Sequence, residues 1–132
     1  MSDSQTTVSN LGVVMFTVSD QDEAVAFYTG KLGYEVRSDV SFGENGDMRW
    51  VEVAPPGSMA RLALNEPMQG QPGGGMIGVE TDDVLGEHAM LSAAGVDVDP
   101  EPMQTPGTPL MFMLRDPDGN TVVVVESPEA RD

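Results

Sequence analysis

Cysteine is absent from the 132-residue chain. That removes disulfides, thiolate nucleophiles and Cys-ligated zinc together, and leaves the compartment open. Basic residues are scarce: six against 22 acids, for a net charge of −16, with Lys31 the lone lysine. Such a field repels nucleic acid and anionic membranes, so neither is expected as a partner. It serves solubility, or adaptation to a salty cytoplasm where screening weakens self-repulsion. There is one histidine, His88, and one tryptophan, Trp50. No apolar run approaches the ~20 residues that cross a bilayer. The opening "MSDSQTTVSN" lacks the basic-then-apolar pattern of a secretory signal. A soluble, cytoplasmic protein with a frayed N-terminal tail is expected.

What is present is an ordered series of short periodic segments. "LGVVMFTV" (11–18) is apolar and β-branched and reads as a strand. "SDQDEAVAFYTGKLG" reads as a helix. Ser19 or Asp20 caps it, Asp22 and Glu23 complement the positive end of its dipole, and Gly33 ends it. Ala24, Phe27, Tyr28 and Leu32 recur at helical spacing. "YEVRSDV", "MRWVEVA" and "ARLALNE" read as strands separated by the turns "GENGD" and "PPGS". Residues 67–75, within "EPMQGQPGGG", have the composition of a flexible connector. The order then repeats: a strand in "MIGVETDD" and a helix ending at Gly95. A weak edge strand follows, broken by Pro100 and Pro102, then "PLMFMLR", the turn "DPDGN" and the strand "TVVVVE". Asp20 to Gly33 and Asp82 to Gly95 have equal spacing. The chain therefore divides into a tail (1–10), a βαβββ module (11–66), a linker (67–75), a second βαβββ module (76–127) and a C-terminal tail (128–132). The fold class is α+β. Two curved four-stranded sheets share a core on their helix side and form a cup on the other, where pockets tend to lie.

These elements resemble the vicinal oxygen chelate superfamily, the fold of glyoxalase I, extradiol dioxygenases and bleomycin-resistance proteins. The matching stretches are "VSDQDEAVAFYTGKLGYEV", "RWVEVAPPG" and "DPDGNTVVVVE", in that order over residues 11–127. Metalloenzymes of the family hold a divalent cation in the cup through His, Glu or Gln on the first and last strands of each module. The resemblance places those ligand positions at Val13, Leu62, Met76 and Val123. None can bind a hard or borderline cation: valine and leucine have no donor, and a lone thioether is too soft. No metal, no other cofactor and no catalytic residue are expected from this set. The resemblance also implies a homodimer.

Strand alternation supplies the remaining candidates. If Asp116 pairs with Asn120 across "PDG", Met113 faces Val123, and Met111, Met113, Val123 and Val125 share one face. Val13, Met15 and Thr17 share the corresponding face of the first sheet, with Val14 and Phe16 in the core. Burying Glu52 against the helices without a partner would cost several kcal/mol, roughly. Glu52 and Trp50 are therefore placed toward the cup, where Trp50 can stack on a flat ligand and Glu52 can pair a cationic group. The expected cup is Val13, Met15, Trp50, Glu52, Leu62, Met76, Met111, Met113 and Val123. It is apolar and methionine-rich, adaptable to a hydrophobic or aromatic ligand. Arg49, Arg61 and Arg115 reach its rim or pair with acids. His88, mid-helix beside Glu87, reads as a surface residue.

Three functions fit. The leading one is a metal-independent small-molecule binder of the antibiotic-sequestering type. The second is a glyoxalase- or dioxygenase-type enzyme with displaced ligands, for which Glu52 and Glu126 are the nearest carboxylates. The third is a structural or regulatory dimer without ligand.

Overall fold

The computed structural model describes residues 6–130. The parts of the two tails at 1–5 and 131–132 lie outside the described residues. In the first module the elements are β1 (Val13–Thr17), α1 (Gln21–Gly30), β2 (Glu35–Phe42), β3 (Met48–Ala54) and β4 (Arg61–Asn65). In the second they are β5 (Met76–Thr81), α2 (Val84–Ala93), β6 (Asp97–Val98), β7 (Met111–Arg115) and β8 (Thr121–Glu126). A short 3-10 turn at Pro128–Ala130 follows within the expected C-terminal tail.

The capping chemistry sets both helix starts. Asp20 accepts a hydrogen bond from the Glu23 N–H at 3.0 Å, and Asp22 and Glu23 occupy the first turn. In the second module the cap is Asp83, which accepts from the Gly86 N–H at 2.9 Å. The preceding Asp82 accepts from the Ser127 hydroxyl and ties the end of β8 to the start of α2.

Each module makes one four-stranded sheet, in the order β1-β4-β3-β2 and β5-β8-β7-β6. In both, the first strand runs parallel to the last and the other pairings are antiparallel. Both first strands stand at a sheet edge. α1 packs on β2, β3 and β4, and α2 on β6, β7 and β8. The helix-side residues of the two sheets merge in one core that includes Phe16, Tyr28, Leu64, Leu91, Phe112 and Val122. The predicted repeat is thus the unit of the fold, and neither half has a separate core. Proline limits the edge strand to Asp97–Val98, and the chain meets β7 again only through a bridge between Met103 and Met111.

The turn "DPDGN" is the joint between the modules. Asp116 Oδ1 accepts from the backbone N–H groups of Asp118 and Asn120, both at 2.9 Å. Its Oδ2 accepts from Tyr28 Oη at 3.0 Å and from Asn120 Nδ2 at 3.1 Å. Asn120 Nδ2 also donates to the Thr17 carbonyl at the end of β1, and Asn120 Oδ1 accepts from the Gly75 N–H. The distal end of the connector is therefore fastened. Gly73 N–H donates to the same Thr17 carbonyl at 3.0 Å, and the Gly75 carbonyl accepts from Thr121 N–H. A Cβ at Gly75 would stand 2.6 Å from the Phe16 ring, and one at Gly73 would stand 2.2 Å from the Asp118 carbonyl oxygen. Close approach at Gly73 and Gly75 is what these glycines provide, where composition predicts a flexible connector.

Candidate functional site

β3 alternates tightly between the two faces of the first sheet. Val51 and Val53 are fully buried, while Trp50 and Glu52 point away from the helices. The registers Glu52↔Ala63 and Met15↔Ala63 put Val13, Met15, Trp50, Glu52, Arg61 and Ala63 on this helix-free face. The same parity adds Val40 and Phe42 of β2, opposite Trp50 and Met48. Met15 (61% exposed), Val40, Phe42 and Met48 are all open to solvent there. The first sheet therefore carries an uncovered apolar face.

Leu62 lies on the other side. It pairs with Val14 and Val53, is 4% exposed and belongs to the core. Its expected place in the cup is corrected by one residue of register, which turns every side chain of a strand over. The helix-free positions of β4 are Arg61 and Ala63. Val14 shares a face with Phe16 as expected, but it is partly exposed at the groove described below.

In the second sheet Met113 pairs with Val123 and Met111 with Val125, as the turn register predicts. These four are half-buried on the helix-free face, while Phe112, Leu114, Val122 and Val124 fill the core. Gly78 pairs with Val123, so Met76, Gly78 and Glu80 of β5 belong to the helix-free face too. Met76 is 63% exposed.

Glu52 is the one charged side chain drawn deep into this surface, at 7% exposure. Both oxygens are engaged from within the chain: Oε2 accepts from Trp50 Nε1 at 2.9 Å and Oε1 from Arg61 Nε at 2.8 Å. The cationic partner expected of a ligand is thus Arg61. This triad fixes the Trp50 indole and gives Glu52 the partners its burial requires. Arg49 instead bridges Asp39 and Asp22, holding the Asp39 carboxyl below its usual range through their hydrogen bond. Arg115 pairs with Asp99 and, at 3.8 Å, with Asp97. His88 is less superficial than expected. Its Nε2 lies 2.7 Å from the Asp99 carbonyl and its ring packs edge-on against Phe112, so it anchors the edge segment to α2.

A groove of about 770 Å³ runs along the junction of the modules. Val14 and Leu62 line it from the first sheet and Met76, Ile77, Val79 and Val125 from the second, with Arg61 at the helix-free side. A pocket between the modules is expected from the repeat, but its lining is not legible in the sequence, because periodicity within strands does not set how two sheets lie relative to one another. Trp50, Met111, Met113 and Val123 lie outside its lining.

The chain's donor set does not fit a divalent cation at the positions the resemblance implies. Val13, Met76 and Val123 offer no hard donor, and among the described residues no three His, Asp or Glu side chains converge. Glu52 is already consumed by Trp50 and Arg61, and Glu126, at the end of β8, belongs to no such cluster among the described residues.

The model of the Glyoxalase/Bleomycin resistance protein/Dioxygenase superfamily matches residues 10–124. The chain belongs to that superfamily. Its similarity to TnmS3, an antibiotic binding protein from Streptomyces sp. CB03234, is 33% identity with a TM-score of 0.81, covering 92% of this chain and 98% of that one. A superfamily member from Sphaerobacter thermophilus DSM 20745 has 30% identity and a TM-score of 0.80, with 91% and 98% covered. The uncharacterized protein YetH of Bacillus subtilis (strain 168) is 32% identical over 128 residues, which span 90% of this chain and 99% of YetH. The paired βαβββ architecture is the fold of these superfamily neighbours.

Proposed function

We propose that this superfamily member is a metal-independent binder of an apolar or aromatic small molecule, of the antibiotic-sequestering kind. The carrying observation is the helix-free surface. It presents Met15, Val40, Phe42 and Met48 on one sheet, beside an indole immobilised by Glu52, and Met76, Met111, Met113 and Val123 on the other. Thioether and hydrocarbon adapt to flat lipophilic surfaces, and a fixed aromatic ring loses little entropy when a ligand stacks on it. The likeness to an antibiotic binding protein over nearly the whole of both chains supports the same reading. The lack of hard donors at Val13, Met76 and Val123 supports metal independence.

The apolar faces also favour a homodimer. Exposed large hydrophobic groups gathered on the helix-free side of the first sheet mark an interaction surface, and two copies would cover them. A cytoplasmic location, and a saline one, agree with the charge of −16.

The test is a thermal-shift screen of the purified protein against flat aromatic and glycopeptide antibiotics, with and without chelator. A binder raises Tm in proportion to RT ln(1 + [L]/Kd). The expected result is a chelator-insensitive rise accompanied by a change in Trp50 fluorescence. A shift that disappears with chelator would sink metal independence, and no shift across the panel would sink the binder.

A further inference from the structure

Arg61 is anchored differently from the other arginines of the described residues. Arg37 spends both Nη groups on the carbonyls of Ser58 and Pro55. Arg49 spends both on Asp22 and Asp39. Arg115 directs its Nη groups to Asp97 and Asp99. Arg61 is held by Nε alone, donated to Glu52 at 2.8 Å, and its side chain is 39% exposed in the wall of the groove. Glu52 grips the back of the guanidinium while the two Nη groups form no hydrogen bond among the described residues. A buried carboxylate thus holds a fork of unspent N–H donors in the wall of a space of about 770 Å³, within the ~300–1,000 Å³ that accommodates small ligands.

The opposite wall adds donors of a second kind. The carbonyls of Gly75, just before β5, and of Thr81, at its end, accept from the N–H groups of Thr121 and Ser127 on the β8 side. The parallel alternation therefore turns the backbone groups of Met76, Gly78 and Glu80 toward the free edge, at the groove. Between these polar edges the lining is Val14, Leu62, Ile77, Val79 and Val125, a slot for a flat apolar body.

From this we infer that Arg61 is a specificity-determining residue and that the ligand is an aromatic molecule carrying an anionic oxygen, a carboxylate or phenolate. The inference rests on the small-molecule-binding reading and gives that ligand its chemical class: Arg61 stands beside Glu52 and Trp50 on the helix-free face and also lines the groove, so it joins the two. It reverses the expectation of a cationic ligand, because Glu52 is satisfied internally and the unspent side-chain donors in the groove wall are those of Arg61. Planar guanidinium matches a carboxylate through two parallel N–H donors. The overall charge of −16 opposes an anion, so selection for one depends on a local, fixed cation. Glu80 also lines the groove and works against the anion from the far side.

The experiment is calorimetric titration of the wild-type protein with three probes of equal shape and different charge: 2-naphthoate, 2-naphthamide and 2-naphthylmethylammonium. The expected order is naphthoate tightest, by about tenfold or more over the cation, as for a charge-assisted hydrogen bond. Arg61→Gln should abolish the preference, Arg61→Lys should retain part of it, and Glu80→Gln should strengthen naphthoate binding. The double variant Arg61→Gln/Glu52→Gln, which leaves no unpaired buried charge, serves if the single variant melts early. Equal binding of all three probes, or preference for the cation, overturns the role of Arg61 and leaves the binder reading standing. Binding of none overturns the assignment, and a flat antibiotic screen beside it would remove the binder reading as well.

Discussion

Tyr28 of α1 and Asp116 of the β7–β8 turn, 88 residues apart, share a buried hydrogen bond of 3.0 Å. It joins the helix of one module to the hairpin of the other. Burial first, then the Asp116 carboxylate, pushes the Tyr28 phenol well above the ordinary tyrosine range, so Tyr28 is the donor. Tyr28→Phe keeps the ring and removes only that donation. Asp116 keeps Asn120 and two backbone donors, so the loss should be about 1.5–3 kcal/mol, as for a hydrogen bond to a charged group. Chemical denaturation should show it as a lowered midpoint with unchanged slope. A neutral outcome would mean that the modules do not depend on this contact.

The alkaline limb follows from the same environment. Burial, and then Glu87, push Tyr34 up to about 12, and Tyr28 goes higher. Both folded values exceed the unfolded value near 10. The stability linked to them is therefore complete below about pH 10 and is lost as pH rises through 12. These are the only two tyrosines. Tyrosinate absorbance should stay silent at pH 10 and appear together with loss of the native circular dichroism. A tyrosine that ionises near pH 10 in a fully folded chain would contradict it.

Glu87 gives a prediction of opposite practical sense. Burial, and then Asp83, raise its carboxyl above the usual value. The folded state thus favours the protonated form, and its contribution declines as pH rises above the unfolded value near 4.3. Glu87→Gln should raise Tm at pH 7, and the gain should vanish on acidification to pH 4. Equal melts at pH 7 would show that solvent screens the group completely.

Much of this was legible from strand periodicity. "MRWVEVA" and "TVVVVE" became β3 and β8 with their predicted bounds, because alternation and flanking turns agree there. "DPDGN" fixes the β7–β8 register, so the facing of Met113 and Val123 could be read directly. No such turn fixes β4. The loop "PPGSMA" leaves its register free by one residue, and Leu62 was placed on the wrong face. For the same reason the Glu52–Arg61 pair was invisible: it exists only in the register the structure adopts. The groove depends on how the modules dock, and that is decided by Tyr28, Asn120 and Gly75, whose partners lie in the other half of the chain.

The glycine run offers a graded test of that docking. Gly73 (φ +89°) needs both a left-handed backbone and the space that a Cβ would take from Asp118. Gly74 (φ +83°) needs only the backbone, with open space beside it. Gly73→Ala should therefore cost more than Gly74→Ala, which carries the left-handed penalty of ~1–2 kcal/mol alone. Gly75→Ala forces the Phe16 ring aside, for about 1–3 kcal/mol. Equal effects at Gly73 and Gly74 would show that the connector yields freely and does not hold the modules.

Self-association, if the apolar faces are covered by a second copy, must work against a charge of −16 on each chain. Hydrophobic attraction between Met15, Val40, Phe42 and Met48 surfaces is insensitive to modest salt, whereas the repulsion is screened over ~10 Å at 0.1 M and ~3 Å at 1 M. The dimer should therefore tighten as salt rises, the reverse of an interface built on ion pairs. Sedimentation velocity between 0.05 and 1 M NaCl, at about those ionic strengths, should show the dimer fraction increasing. Phe42→Asp, exposed on this face, should return the protein to monomer without lowering its intrinsic stability by more than about 0.5 kcal/mol. A monomer at every salt concentration would leave these faces to the ligand alone, and a dimer that dissociates in salt would place the interface elsewhere, on charged surface.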